Sequence, residues 1–488
     1  MAPTGAYTAA GTGFSTSIVM RQVFGRAPGL ARHQKSAGHQ KSVRASSNES
    51  SRVRTRRDYA TTFITEILFV VSYLLCFRIV ADHLGSFGFG EYALARRTLA
   101  VLTPLGALGL DLAVARFVAH SLGRGDTGRG YVPAAIGLQL AAMVIVSLPL
   151  LAFSEFFATL FFGGKQFRDL VLPLPLLIIG GGLQGIAYGY FRGRLQIQRA
   201  NLLAFWIHVA TPLVAVLLIT GSVFAILVAT GVAWIAISLL ALATAQLHLV
   251  KPRERAMELV KFSVPRIPGD LMQLLLFALP AILVAHVADI AVAGSVALGV
   301  AALGMIGAGS GAVGMVLLPV ASRMIAAESR HELRTLIISV GRIWGLALLL
   351  GTLSIELLAQ PIVSAYLGAG LVSGAVMPLR IVMLGALPWG AYISLKSVID
   401  AQHVRAVNAR NMLMACLVFL LALGPLSIAL SPLTGVLVAF VLSLYAVGLL
   451  TIREAWQIAA GKPASSAQNL KERPTHSLED PVTSERLP

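Results

Sequence analysis

Beyond a polar first segment, the chain alternates between long apolar runs and short polar breaks. From residue 59 onward the apolar runs are at least about 20 residues long, the length that an α-helix needs to cross the hydrocarbon core of a bilayer. The pattern therefore predicts an all-α polytopic membrane protein with about 12 transmembrane helices. The predicted spans are residues 60–83, 92–118, 132–153, 170–191, 202–221, 223–246, 263–287, 291–322, 336–358, 374–399, 409–430 and 432–452.

Basic residues alternate between successive breaks. The breaks after even-numbered spans hold most of the Lys and Arg, as with Arg192, Arg194 and Arg199 after span 4. The breaks after odd-numbered spans are short and poor in these residues. Because short cytoplasmic loops collect Lys and Arg, the alternation predicts an even number of spans in the cytoplasmic (inner) membrane, with both termini in the cytoplasm.

The spans divide into two equal sets around the longest break, near residues 247–262. This division predicts two six-helix lobes around a central cavity, an N-lobe at 59–250 and a C-lobe at 251–455. Residues 1–58 and 456–488 are predicted to be disordered cytoplasmic tails. The first tail is rich in Arg and Ser and poor in acidic residues, so an organelle transit peptide is an alternative; a start codon assigned too far upstream is another.

Composition supports the membrane class and narrows the function. The chain is 56% hydrophobic and only 12% charged, whereas a soluble globular protein carries roughly 25% charged residues. The net charge of +17 lies mostly in the first tail and in short loops, which argues against a nucleic-acid surface. Cys76 and Cys416 lie in apolar runs, so neither a disulfide nor a metal site is predicted. No nucleotide-binding loop or hydrolase motif occurs in a credible context, and no catalytic residue or cofactor is predicted.

Several charged side chains fall inside predicted spans, where a charge is costly unless it faces a cavity or a partner. Arginines converging on a cavity suit an anionic headgroup, above all a phosphate, because the guanidinium fork matches it bidentately. The basic candidates are Arg78, Arg96, Arg97, Arg116, Arg266 and Arg380, and the acidic candidates for ion coupling are Glu66, Asp111 and Asp270.

Other interpretations of the same charges stay open. Arg96 and Arg97 lie about one turn inside the predicted outer face and could extend to water there, as Arg116 could at the inner face. Arg266 and Asp270 are four residues apart and could form an ion pair with each other on one helix face, which would leave neither charge for a substrate. Mid-span prolines and glycines, such as Pro104 and Gly109, indicate either close helix packing or bending.

The junction of the first two spans carries a family resemblance. It begins Leu84-Gly85-Ser86-Phe87-Gly88-Phe89-Gly90-Glu91-Tyr92-Ala93-Leu94-Ala95-Arg96-Arg97, continues Pro104-Leu105-Gly106-Ala107-Leu108-Gly109-Leu110, and ends Ala115-Arg116-Phe117-Val118-Ala119. This resembles the opening of the polysaccharide and O-antigen flippases, which belong to the multidrug/oligosaccharidyl-lipid/polysaccharide exporter superfamily. The match covers roughly 35 residues, and the plan of twelve spans in two lobes is similar over about 400.

The resemblance implies a transporter that flips a polyprenyl-pyrophosphate-linked oligosaccharide across the cytoplasmic membrane by alternating access. It implies that cavity arginines hold the pyrophosphate, with Arg78, Arg96, Arg97 and Arg116 from spans 1 and 2 and Arg266 from the second lobe as candidates. Arg380 is a candidate from its depth alone. The implied partners are the lipid-linked substrate, membrane lipids, and glycosyltransferases and a polymerase of the same pathway.

Two other functions remain as alternatives. A cation-coupled multidrug exporter of the same superfamily would use acidic cavity residues, for which this chain has few candidates. A membrane-embedded glycosyltransferase or polymerase would need a large loop outside the membrane or a clustered acid/base set, and no break exceeds roughly 20 residues.

Overall fold

The chain is a bundle of α-helices, as the apolar runs predict. The computed structural model describes residues 40–461, except 125–127, 129, 246–251, 369, 371 and 403–406; for residues 40–60, 252, 266, 270, 372 and 373 it describes the backbone alone. Every regular element of the described residues is helical. The α-helices are α1 (Gln40–Ala107), α2 (Leu110–Gly123), α3 (Tyr131–Ala152), α4 (Ser154–Phe162), α5 (Arg168–Val171), α6 (Leu174–Gly193), α7 (Ile197–Phe205), α8 (Thr211–Leu218), α9 (Val223–Ala243), α10 (Pro252–Ser263), α11 (Ile267–Val287), α12 (Ile290–Ala326), α13 (Arg330–Leu367), α14 (Val372–Met383), α15 (Ala386–Gln402), α16 (Val407–Ala429) and α17 (Pro432–Ala459).

Many of these helices are long and apolar enough to span a membrane, so the protein is polytopic. Among the described residues there are 10 such helices, or 11 when the bent pair of α14 and α15 counts as one span. The predicted number of twelve, and its division into two six-helix lobes, therefore stay predictions. Each of the twelve predicted segments nevertheless overlaps helix among the described residues.

The described part of α1 from Thr61 to Ala107 counts as one 47-residue helix, but it doubles back at Gly85. Gly85 has φ 67° and ψ −166°, which breaks the helix. The Phe77 and Tyr92 ring centroids lie 5.8 Å apart, although 15 helical residues would separate them by about 22 Å. We call residues 61–84 the first arm and residues 86–107 the second arm of this hairpin.

The predicted second span is broken near its middle. The second arm ends at Ala107 and α2 begins at Leu110, because Leu108 and Gly109 have left-handed φ values of 52° and 63°. Gln139 of α3 donates a 2.6 Å hydrogen bond from Nε2 to the Gly106 carbonyl oxygen at this break. A buried amide therefore satisfies a carbonyl group that the interrupted helix leaves without its usual partner.

The helices at both ends of the described residues run past the predicted domain boundaries, which stay predictions. Helix α1 begins at Gln40 rather than near residue 59, and residues 40–60 contain no Gly or Pro that would interrupt a helix. Helix α17 continues to Ala459, four residues beyond the predicted end of the C-lobe. The remaining parts of the two predicted tails, residues 1–39 and 462–488, lie outside the described residues.

Candidate functional site

Arg96 lies deep in the second arm. This arm begins at Ser86 instead of residue 92, so Arg96 is about 15 Å along the helix from the turn, half the thickness of a hydrocarbon core. Its guanidinium covers the Tyr73 ring of the first arm, with Cζ 5.2 Å from the ring centroid. The Tyr73 ring in turn packs against Phe77 at 4.7 Å between centroids. Arg96 is therefore held at mid-span on an aromatic surface, deeper than the sequence indicated.

Arg97 points to the second half of the chain. Its Nη2 donates a 2.9 Å hydrogen bond to the carbonyl oxygen of Ala297 in α12. Its Nε is buried and has no hydrogen-bond partner. A guanidinium with a buried, unsatisfied N–H is costly in an apolar environment, so this side chain retains an unused donor.

The two adjacent arginines have no acidic counterpart among the described side chains. Within the described part of the chain, no ion pair includes Arg96 or Arg97. The ion pairs between two described side chains include Arg78–Asp82, Lys165–Glu155, Arg255–Glu258, Arg380–Glu356 and Arg410–Glu454. Among the described side chains, these two neighbouring positive charges at mid-span therefore have no counter-charge, which favours an anionic ligand.

Arg78 has partners on both sides of its guanidinium. Its Nε lies 2.9 Å from Oδ2 of Asp82, one turn further along the first arm. Its Nη1 donates a 2.6 Å hydrogen bond to the carbonyl oxygen of Tyr366 in α13. The structure thus engages Arg78 in protein contacts near the turn of the hairpin, above the depth of Arg96.

Arg116 lies on α2, beyond the break and far from Arg96. Its Cζ is 4.4 Å from the ring centroid of Phe262 in α10 and 5.9 Å from that of Phe117. The side chain is exposed. Arg116 therefore contacts the helix that connects the two halves, and the structure does not bring it together with Arg96 and Arg97.

Arg380 of α14 faces Glu356 of α13. The Nε and Oε2 atoms are 4.0 Å apart, and the second carboxylate oxygen, Oε1, is buried without a hydrogen-bond partner. These two charges compensate each other inside the second half, so Arg380 has a carboxylate partner, which neither Arg96 nor Arg97 has among the described side chains.

The acidic candidates Glu66 and Asp111 meet a residue that sequence reasoning assigned to a basic loop. Arg192, at the end of α6, acts electrostatically on Glu66 and places its Cζ 5.5 Å from the Tyr188 ring centroid. Glu66, Asp111 and Arg192 all act electrostatically on Tyr188. Charges of both signs therefore lie near Tyr188 in the first half, and Arg192 contacts its ring.

The second-lobe candidates Arg266 and Asp270 belong to the residues whose side chains the structure does not describe. The backbone places Arg266 at the end of a 3₁₀ turn, Val264–Arg266, and Asp270 in the first turn of α11. Their predicted roles in substrate binding and ion coupling stay predictions.

A comparison with known families identifies the chain. The family model described as "Polysaccharide biosynthesis protein" matches residues 60–325, which is more than half of the chain. This chain belongs to the polysaccharide biosynthesis protein family. The matched region contains the arginines of both arms and extends through α12, so the predicted resemblance is confirmed. No curated protein sequence matches the chain.

Solved structures place this polysaccharide biosynthesis protein in a transporter fold. It is similar to a multidrug resistance MATE family transporter of the MOP superfamily in an inward-facing conformation, with TM-score 0.64 and 15% identity over 81% of this chain and 96% of that one. It is also similar to the lipid II flippase MurJ in an inward closed conformation, with TM-score 0.64 and 13% identity over 83% and 90%. The eukaryotic MATE transporter AtDTX14 matches with TM-score 0.56 and 13% identity over 84% and 99%. At these identities the likeness shows the fold alone.

Two arginines of this polysaccharide biosynthesis protein contact aromatic rings that the sequence analysis did not identify as their partners. Tyr73 precedes Arg96 by 23 residues, and only the fold of the hairpin brings them together. Tyr188 and Arg192 are four residues apart on α6, a spacing that predicts contact on a helix. That spacing could have indicated the Tyr188–Arg192 contact from the sequence alone.

Proposed function

We propose that this membrane transporter flips a polyprenyl-pyrophosphate-linked oligosaccharide across the cytoplasmic membrane by alternating access. The observation that carries the proposal is the adjacent, mid-span pair Arg96 and Arg97, which has no carboxylate partner among the described residues. A pyrophosphate carries the complementary charge and offers acceptors for both guanidinium groups. Membership of the polysaccharide biosynthesis family supports a sugar-bearing substrate.

The proposed mechanism requires no covalent chemistry by this chain. The lipid tail stays in the bilayer, where it needs no protein cavity, while the charged pyrophosphate and the sugars cross through the protein. Arg96 and Arg97 replace water around the pyrophosphate at mid-span, where an unpaired anion would cost most. Both termini then lie in the cytoplasm, and glycosyltransferases and a polymerase of the same pathway supply and consume the substrate.

Reconstituted protein tests the proposal directly. A fluorescent polyprenyl-pyrophosphate-linked oligosaccharide is placed in proteoliposomes, and its translocation is followed with a membrane-impermeant quencher. We expect Arg96→Ala and Arg97→Ala each to slow translocation by about tenfold or more, since a hydrogen bond to a charged group contributes about 1.5–3 kcal/mol. Loss of translocation at normal protein levels supports the site.

A matched control separates the site from the general effect of removing an arginine. Arg334 also covers an aromatic ring, with Cζ 4.8 Å from the Trp456 centroid, but it is exposed near the start of α13. Arg334→Ala is expected to leave translocation within about twofold. Unchanged translocation in both Arg96→Ala and Arg97→Ala, or drug resistance conferred by overexpression without any flipping, would overturn the proposal in favour of a multidrug exporter.

A further inference from the structure

The second arm of α1 and helix α12 touch at two glycines. A Cβ atom added at Gly90 would lie 2.2 Å from the carbonyl oxygen of Ile290, and one added at Gly294 would lie 2.5 Å from Cα of Gly90. Real Cβ contacts are never that short, so the two backbones approach as closely as glycine allows. This contact joins the first half of the chain (residues 61–245) to the second half (residues 267–459).

A polar clasp lies near this glycine contact. Arg78 Nη1 donates to the carbonyl oxygen of Tyr366, and the Tyr366 hydroxyl donates back to the carbonyl oxygen of Leu74, each at 2.6 Å. The two hydrogen bonds cross between the halves in opposite directions, and Asp82 holds the Arg78 guanidinium from its other side. Both acceptors are backbone groups, and the Arg78 side chain is 35% exposed, so water can replace the bonds when the halves separate.

A third contact completes the junction. A Cβ atom added at Gly163, just after α4, would lie 2.1 Å from the carbonyl oxygen of Ala285 near the end of α11. Gly90, Gly163, Ala285 and Tyr366 all belong to turns or helix ends on one side of the bundle. The loop charges predict this side to be the outer face of the membrane.

We propose that the Gly90–Gly294 contact, together with the Arg78–Tyr366 clasp, is a reversible outer gate that is closed in this structure. Small residues allow the close approach that seals the face, and side-chain-to-backbone hydrogen bonds add stability that hydration can offset on opening. The proposal assigns Arg78 to the gate instead of to the substrate. It rests on contacts between the halves and does not depend on which substrate is carried.

Labelling of a reporter cysteine tests the gate without measuring transport. Cys76 and Cys416, the two cysteines of the chain, are first changed to Ala. Ala297→Cys then supplies a reporter, because Ala297 is fully buried one turn beyond Gly294. In intact cells a membrane-impermeant maleimide reaches this position from outside only while the outer face is open.

We expect Gly90→Ala to increase the labelling rate about tenfold, because the added methyl group cannot fit the closed gate and shifts the population toward the open state. Tyr366→Phe keeps the ring and removes one hydrogen bond, so a smaller increase of about threefold is expected. Gly351→Ala is the matched control, since a Cβ there meets nothing within 4 Å, and it should leave the rate unchanged.

Gly90→Ala and Tyr366→Phe change the gate independently, one by adding a methyl group and the other by removing a hydroxyl group. If Gly90→Ala does not yield folded protein, the Tyr366→Phe rate alone decides. A rate equal to that of the parent in folded Tyr366→Phe, and in Gly90→Ala where it folds, would show that these contacts are permanent packing and would overturn the gate. Because the measurement is the labelling of a cysteine and not translocation, this result stands separately from the outcome of the flipping assay.

Discussion

The Arg96 guanidinium lies over the ring of Tyr73, with Cζ 5.2 Å from the ring centroid. The two residues are 23 positions apart, which in one continuous helix would be about 35 Å. The contact therefore depends on the hairpin at Gly85 and fixes the depth at which a positive charge enters the first half. We therefore infer that Tyr73 is a positioning residue for Arg96 in the proposed site.

Changing Tyr73 is expected to act through this ring contact. Tyr73→Phe keeps the aromatic face and should leave translocation within about twofold, whereas Tyr73→Ala should reduce it about fivefold, in line with a cation–π contribution of about 1 kcal/mol. The measurement is the proteoliposome flipping rate at matched protein levels. Equal rates for the two variants would mean that the ring does not position Arg96.

The Arg380–Glu356 ion pair predicts that removing either charge alone destabilises the protein more than removing both. Arg380→Gln and Glu356→Gln each leave one charge inside the second half without its partner, so each should lower the amount of folded protein. The double variant removes both charges and should recover folded protein and translocation to near the parental level. If the double variant folds well but still fails to translocate, Arg380 has a role in substrate binding beyond the pair.

Close helix packing in the first half predicts sharply different responses at two glycines. A Cβ atom added at Gly189 of α6 would lie 2.2 Å from the Asp111 carbonyl oxygen, whereas at Gly137 of α3 it would meet nothing within 4 Å. Gly189→Ala should therefore destabilise the protein by about 1–3 kcal/mol. Gly137→Ala should be neutral or stabilising by up to about 1 kcal/mol. Thermal unfolding in detergent, followed by size-exclusion chromatography, distinguishes the two; a stable Gly189→Ala would contradict the packing.

Hydropathy was enough to locate the helices, but not to place charges within them. The glycines between Gly85 and Gly90 read as a loop, so the second span was predicted to begin at residue 92. Only Gly85 leaves the helical conformation, while Gly88 and Gly90 continue the helix and pack closely against Leu84 and Ile290. Arg96 consequently lies three turns from the hairpin rather than about one.

Partners far apart in the chain were outside the reach of sequence patterns. The contact of Arg78 with Tyr366 spans 288 residues, and a single sequence carries no signal for such a pair. The density of arginines in spans 1 and 2 did indicate where charge concentrates. A charge inside an apolar run costs free energy in the membrane, so such residues are rare and easy to recognise in the sequence. Which of those arginines have a carboxylate partner among the described residues follows only from the positions of the side chains in the fold.

The break in the second span depends on one buried amide. Gln139 is fully buried and donates from Nε2 to the Gly106 carbonyl oxygen at 2.6 Å. Removing the amide leaves that carbonyl group unsatisfied in an apolar setting, where the penalty is about 1–3 kcal/mol. Gln139→Leu should therefore lower the thermal unfolding midpoint in detergent.

The same substitution should also slow translocation, because the break separates the arm that carries Arg96 from α2. Ser354→Ala is a suitable control, since that exposed hydroxyl bonds only to a carbonyl of its own helix, Leu350. It should change neither the unfolding midpoint nor the flipping rate. If Gln139→Leu lowers stability but leaves the flipping rate of the folded fraction at the parental value, the amide only stabilises the fold and the break does not contribute to transport. A reduced rate in the folded fraction would show that the geometry of this break matters for carrying the anion past mid-span.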